Sequence, residues 1–182
     1  MLLKASANST STDLSDVKAQ EAWFNDQDIA KIDSTFIDKL ISQAKQNSRQ
    51  RMRLCLHKDT SDDVHEMIIA MSKSCYVRPH KHMNKTESFH MIRGSLWLFV
   101  FDDRGAVIEK FKMSDNRDNG FLVYRLEKNY WHTIIPISDF VVFHEVRKGP
   151  FKGKGDSIFP SWAPKEEEVE KAREFLKKII RK

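Results

Sequence analysis

The sequence predicts a mainly β protein: a closed barrel or two-sheet jelly roll flanked by an N-terminal and a C-terminal α-helix. From residue 49 onward, short apolar or alternating segments are separated by turns such as those at Gly94 and Gly105. Many short strands with regular turns are typical of barrels and jelly rolls. No internal repeat is seen, so we expect one barrel. The predicted strands are 49–56, 66–71, 87–92, 96–101, 107–111, 121–126, 131–137 and 140–146.

Apolar residues at helical spacing predict a helix on each side of the strands. Asp33 or Ser34 is expected to cap a helix that reaches about residue 45. Near the C-terminus, Pro164 suits a first helical turn, and glutamates before lysines and arginines match the helix dipole. The apolar stripe of this helix is expected to pack on the barrel or on a partner subunit.

The chain is therefore expected to divide into three parts. Residues 1–30 are rich in polar residues and predict a flexible arm, with one short helical turn around 17–24. Residues 31–162 form the barrel domain with its leading helix, and 163–182 form the C-terminal helix.

Composition excludes several classes of protein. No apolar run reaches the roughly 20 residues of a membrane span, and we expect the first residues not to act as a signal peptide. Two cysteines, Cys55 and Cys75, predict buried reduced thiols and a cytoplasmic location. The net charge is +5, but the clustered basic residues are not interleaved with aromatic residues. An anionic small-molecule ligand is therefore expected in preference to nucleic acid.

One segment carries the residues of a metal site. His80 and His82 are two residues apart, so in a strand both imidazoles point to the same face. Glu87 follows after a turn-like stretch and starts the next predicted strand. Two histidines and a carboxylate suit a divalent transition metal such as Zn, Fe, Ni or Mn and leave coordination positions open. The expected fourth ligand is His132, from a distant strand.

These residues resemble the first motif of the cupins. His80 and His82 are followed after four residues by Glu87, and after a further six residues by Gly94, as in that motif. The chain is more specifically similar to the WbuC family of cupin-fold metalloproteins, associated with bacterial O-antigen and polysaccharide gene clusters. The segments that carry the resemblance are 48–57, 66–70, 76–82, 87–90, 130–133 and 142–151.

The sequence departs from the cupin pattern at two places. Ser74 stands where the first motif usually opens with glycine. Residues 127–129, Glu-Lys-Asn, replace the usual Pro-x-Gly before the histidine of the second motif. Because asparagine tolerates the left-handed backbone region, Asn129 is expected to preserve that turn.

Further candidates follow from strand alternation around the metal. Tyr76 and Arg78 are expected on the face of His80 and His82. Tyr76 is interpreted as a catalytic proton donor and Arg78 as a partner for a carboxylate or phosphate, against the alternatives of core packing and a structural ion pair.

Three arginines in alternation point to an anionic ligand. Arg51 and Arg53 share one strand face with Arg49 and are interpreted as substrate-binding residues, with a solvated edge or a subunit contact as the alternative. His144 is a further pocket candidate that packs either inside or outside the barrel.

The resemblance implies a carbohydrate or sugar-nucleotide ligand and a metal that acts as a Lewis acid in an isomerase or epimerase. An iron-dependent dioxygenase and a non-catalytic binding protein are the alternatives. A homodimer is expected, because small cupins are often dimers.

Overall fold

Two β-sheets form the body of the protein. The computed structural model describes residues 21–116 and 120–181. One sheet has the strand order β1-β2-β3-β9-β4-β7, and the other has the order β6-β5-β8. The strands are β1 Ala22–Phe24, β2 Arg51–Cys55, β3 Val64–Ser72, β4 Glu87–Arg93, β5 Ser95–Phe101, β6 Val107–Ser114, β7 Val123–Leu126, β8 Trp131–Pro136 and β9 Phe140–Lys148. The helices are α1 Ser34–Gln46 and α2 Val169–Ile180, with a 3₁₀ turn at Gly153–Gly155.

The main core lies between the two sheets. Alternate residues of each strand point into it, as the two-residue period of a strand requires. On β9, for example, Val141 and Phe143 are almost completely buried and pack there. Leu96, Leu98 and Val100 of β5 meet them from the other sheet. This is the arrangement of a jelly roll, as the sequence predicts.

Each sheet has a helix on its outer face. Leu40 and Ala44 of α1 are fully buried against the outward-facing residues of β2 and β3. Asp33 caps α1 by accepting a hydrogen bond of 2.8 Å from the Phe36 amide. On the opposite side, Ile179 of α2 packs with Phe99 and Phe101 of β5. The C-terminal helix therefore covers the barrel of its own chain.

Two local expectations at the ends of the chain are wrong. Ala22–Phe24 forms β1, which pairs in parallel with β2, where an arm or a helical turn was expected. Three residues are too short to show a period, and tertiary contact decides their conformation. Pro164 precedes α2, which begins only at Val169, and its carbonyl accepts a hydrogen bond of 2.9 Å from the Tyr76 hydroxyl. The predicted arm over residues 1–20 lies outside the described residues.

The turn before β8 has the predicted left-handed residue. Asn129 has a φ of 74°, so asparagine replaces the usual glycine without losing the turn. Its amide donates a hydrogen bond of 2.9 Å to the carbonyl of His82, which ties this turn to the metal-motif segment. In the described part of the chain, neither helix is long and apolar enough to span a membrane.

We expect Asn129→Val to destabilise the fold by about 1–2 kcal/mol, because a β-branched residue is strained at positive φ. Asn129→Gly is the matched control and should unfold at nearly the wild-type urea concentration. Equal stability of the valine and glycine variants would contradict a strained turn at this position.

Candidate metal centre

A reciprocal pair of backbone hydrogen bonds brings His80 and His132 together. The His80 amide donates to the His132 carbonyl at 3.0 Å, and the His132 amide donates back to the His80 carbonyl at 2.9 Å. Their ring centroids are 4.4 Å apart. His82 lies two residues beyond His80, and its ring centroid is 5.1 Å from that of His80. One ring nitrogen from each of the three histidines lies within 4.8 Å of the other two.

Glu87 adds a carboxylate to this cluster. It is the first residue of β4 and is buried, like His82 and His132. Glu87 Oε1 lies 3.0 Å from His132 Nε2, and Oε2 lies 3.5 Å from His82 Nε2. The structure therefore brings together all four predicted metal ligands, with Glu87 contacting two of the three imidazoles.

The outer nitrogen of each histidine is held by a backbone carbonyl. His80 Nδ1 lies 3.0 Å from the carbonyl of Arg78, and His132 Nδ1 lies 3.0 Å from that of Tyr130. His82 Nδ1 lies 2.7 Å from the carbonyl of Asp156. A carbonyl only accepts hydrogen bonds, so each Nδ1 carries the proton. When Nε2 is deprotonated, each ring then offers that nitrogen's lone pair to a metal.

These donors fit a divalent transition metal. Metal-bound histidines usually donate their other ring N–H to a carbonyl or carboxylate, as all three do here. His132 Nε2 is buried and makes no hydrogen bond of acceptable geometry with a described residue. Nitrogens bound at about 2.0–2.1 Å from one metal lie roughly 3–3.5 Å apart, so a small contraction of the cluster would suffice.

Two groups of the cluster, His80 and Glu87, have charge states that suit a metal. Burial lowers the pKa of His80 to about 3, and the nearby His132 adds to the effect. Burial would raise the pKa of Glu87, but His132 and the other histidines outweigh it, and that pKa falls well below its usual value. Burial would lower the pKa of His132, but Glu87 outweighs this effect and raises it. A neutral imidazole and an ionised carboxylate are the forms that bind metals, so metal binding would displace a proton from His132.

Tyr124 orients the carboxylate from behind. Its hydroxyl donates to Glu87 Oε1. Burial and the neighbouring Glu87 raise the pKa of Tyr124 well above its usual value, so the hydroxyl keeps its proton. Tyr124 therefore acts as a permanent donor and holds Glu87 in one orientation.

The orientation of His82 depends on a distant segment. Arg78 and Tyr130 each lie two residues before the histidine they orient, whereas Asp156 lies 74 residues from His82. The Asp156 carboxylate accepts a hydrogen bond from Lys85 Nζ, which also donates to the Pro150 carbonyl at 2.7 Å. Both side chains are at least nine-tenths buried. The Lys85–Asp156 pair thus fixes the carbonyl that His82 uses.

A cavity of about 290 Å³ opens beside the three imidazoles. The basic residues that line it are Arg49, Arg51, Arg53, Arg78 and Arg147. The acidic residues that line it are Glu87, Glu145 and Glu166. The structure therefore brings the predicted Arg51, Arg53 and Arg78 to the metal cluster.

These arginines differ in how they are paired. Arg51 lies 3.7 Å from Glu21 and 3.9 Å from Glu166, at the mouth of the cavity. Arg78 donates to the Pro160 carbonyl at 3.0 Å and lies over the Phe159 ring. No carboxylate oxygen of a described residue lies within 4.0 Å of the guanidinium groups of Arg53 and Arg78. These two cations are therefore available to an anion in the cavity.

Two predicted residues do not reach the cavity. Residues 76–79 are not a regular strand, so alternation does not carry Tyr76 to the face of His80. Its hydroxyl donates to Pro164, and burial raises its pKa well above the usual value. His144 points outward from β9, where it lies 3.7 Å from Glu66. The structure therefore contradicts the prediction that Tyr76 is catalytic and the prediction that His144 binds the ligand, because neither side chain lines the cavity.

Two residues of β9 enter the cavity instead. Glu145 and Arg147 alternate with Val141 and Phe143 on the inner face of that strand. Burial raises the pKa of Glu145, and Arg147 partly opposes this shift. The signal was present in the sequence, because alternation that continues from Phe143 places residues 145 and 147 inside. The roles of Lys85 and Asp156 had no local signal.

The fold and the centre together define a jelly-roll protein with a three-histidine cluster. Residues 32–113 match the model of a family described as a domain of unknown function (DUF6016). This match spans less than half of the 182 residues. No curated protein matches the chain at a significant level.

Several solved structures share part of the fold. The cupin domain of Cnp3 from Schizosaccharomyces pombe is 15% identical, with a TM-score of 0.43 over 54% of this chain and 64% of that one. A variant of oxalate decarboxylase from B. subtilis is 14% identical, with a TM-score of 0.44 over 54% of this chain and 24% of that one. Protein SO0799 from Shewanella oneidensis is 9% identical, with a TM-score of 0.47 over 57% and 66%. The chain covers less than two thirds of each.

We expect Lys85→Met to release the carbonyl that orients His82. Among the described residues, Asp156 would keep only one cation, Arg147, whose Nη1 lies 3.5 Å from its Oδ2, so the free energy of unfolding should fall by about 3 kcal/mol, the lower end of the loss for a broken buried pair. In the folded metal-free protein, part of His82 should move its proton to Nε2, which histidine ¹⁵N–¹H spectra detect.

Lys58→Met is the matched control, because Lys58 forms an exposed ion pair with Asp28 at 2.5 Å. It should change neither stability nor the His82 spectrum measurably. A folded Lys85→Met protein in which His82 stays fully protonated at Nδ1 would contradict the role of the pair.

Proposed function

We propose that this protein binds one divalent transition metal through His80, His82, Glu87 and His132 and holds a small anionic ligand beside it. One observation carries the proposal: His80, His82 and His132 each have Nδ1 at a backbone carbonyl, and one ring nitrogen of each lies within 4.8 Å of the other two. A metal bound there would act as a Lewis acid towards a ligand oxygen.

The charge of the cavity supports an anionic ligand. Arg53 and Arg78 lack carboxylate partners among the described residues, and Arg147 shares its charge between Glu145 and Asp156. A divalent metal would add to this positive charge, while Glu87 and Glu145 offset only part of it. Arginine also suits carboxylates and phosphates because its planar group donates two parallel hydrogen bonds.

The cavity favours small ligands. At about 290 Å³ its volume is just below the roughly 300–1,000 Å³ typical of ligand pockets. The resemblance to the WbuC family favours a carbohydrate-derived ligand in surface polysaccharide synthesis. A whole sugar nucleotide would extend from the mouth, past the exposed rings of Phe151 and Phe159.

A catalytic role needs a group that moves a proton. Glu145 lines the cavity and has a raised pKa, so it meets this need for an isomerase or epimerase where Tyr76 does not. If the protein is instead a dioxygenase, its metal is iron. If it is a binding protein, it does not turn its ligand over.

Homodimerisation remains a prediction from the sequence.

The metal ligands are tested by His80→Ala combined with His82→Ala. Metal content after purification, and affinity measured by titration, should fall by more than about a hundredfold. The control is His90→Ala with His144→Ala, which removes two histidines from the outer faces of β4 and β9 and should keep full metal content. Retention of metal by the first double variant would refute the assignment.

The role of Arg53 in anion binding is tested by titrating succinate, a dicarboxylate probe, into metal-loaded protein. Arg53→Ala should weaken binding roughly ten- to a hundredfold, the loss expected for hydrogen bonds to a charged group. Arg51→Ala should weaken it less, because Glu21 and Glu166 already share that charge, and the exposed Arg125→Ala should have no effect. Equal affinities for all three variants would exclude an anion site at Arg53.

A further inference from the structure

The Glu145 carboxylate lines the cavity and receives no hydrogen bond from a described residue. Its side chain is only 12% exposed, and no described residue donates a hydrogen bond to it. The one described cation within 4.0 Å is Arg147, whose Nε lies 3.7 Å from Glu145 Oε1, beyond hydrogen-bonding distance. Because a carboxylate in a largely enclosed site needs donors, a bound ligand is the natural source of one.

The strand register places this acceptor next to the metal centre. Glu145 is opposite Phe89 on β4, and Arg147 is opposite Glu87. Residues two apart on one strand share a face, so Glu145 and Glu87 are diagonal neighbours on the same inner surface. A small ligand bound to the metal through one end can therefore reach Glu145.

The surroundings decide which donor the ligand brings. Glu145 can accept from a hydroxyl or from an ammonium group. An ammonium group would face Arg53, Arg147 and the metal, all of which repel it. A hydroxyl carries no charge and avoids this repulsion. The arginines in turn require an acid group on the same ligand.

We propose that the ligand is a small hydroxy acid whose acid group pairs with Arg53 and Arg78 and whose hydroxyl donates to Glu145. This inference rests on the proposed function, because the metal completes the site. It goes further by fixing the chemical class of the ligand and by assigning to Glu145 the selection for a hydroxyl group.

The test compares malate with succinate, which differ by one hydroxyl. Both are titrated into metal-loaded wild-type protein and into Glu145→Gln, with metal content measured on the same samples. A hydroxyl next to a carboxylate also chelates metals, so the informative quantity is the change in the malate-to-succinate affinity ratio.

We expect the wild type to prefer malate and Glu145→Gln to reduce that preference roughly tenfold or more, the loss expected for a hydrogen bond to a charged group. Succinate should bind Glu145→Gln as well as it binds the wild type, or better, because a negative charge has been removed. Glu109→Gln, an exposed carboxylate change on β6, is the control and should leave the ratio unchanged.

The outcomes separate the two proposals. An unchanged ratio in Glu145→Gln, or no binding of either acid to metal-loaded protein, overturns the hydroxy-acid inference and leaves the metal site standing. Absence of metal from protein purified and reconstituted in metal-containing buffer overturns the proposed function itself. A reduced ratio with unchanged metal content supports both.

Discussion

The exchange of backbone hydrogen bonds between His80 and His132 is the contact on which the rest of the centre depends. These residues are far apart in sequence, and both amides and both carbonyls are used in the exchange, at 3.0 and 2.9 Å. It sets the two imidazoles side by side before any ligand binds. It also aligns His82 two residues further along, and Glu87 enters the same pocket as β4 begins. Because backbone bonds do this work, the arrangement does not rely on flexible side chains for its overall shape.

Polar contacts around the centre orient its side chains. Carbonyls fix the protonated nitrogen of each histidine, and Tyr124 fixes Glu87. The contact to His82 differs from the others, because it joins the metal-motif segment to the segment before α2 through Asp156 and Lys85. The orientation of His82 therefore depends on the position of that segment, which also lines the cavity through Ser157 and Phe159. The same segment carries Phe159, against which Arg78 packs at the cavity wall.

Much of the fold could be predicted because apolar residues recur at a characteristic spacing in strands and in helices. The strand segments after residue 49 were each found within a few residues of their predicted bounds, and α1 begins where Asp33 can cap it. The same reasoning failed where the period was absent or interrupted. β1 has too few residues to show alternation, and the irregular stretch before His80 turns Tyr76 away from the face that strand geometry would give it. His144 was open between inside and outside, because a single histidine does not indicate which face of a strand is buried.

The sequence by itself determined the residues of the candidate metal centre. The spacing of His80, His82 and Glu87 is a local property, and local geometry is enough to place three donors on one side of a turn. Only the tertiary structure decided what surrounds them. Long-range contacts distinguished the ion-paired Arg51 from Arg53, which has no carboxylate partner among the described residues, and Lys85 and Asp156 became partners across 71 residues. These outcomes depend on which distant strands become neighbours, and no short stretch of sequence contains that information.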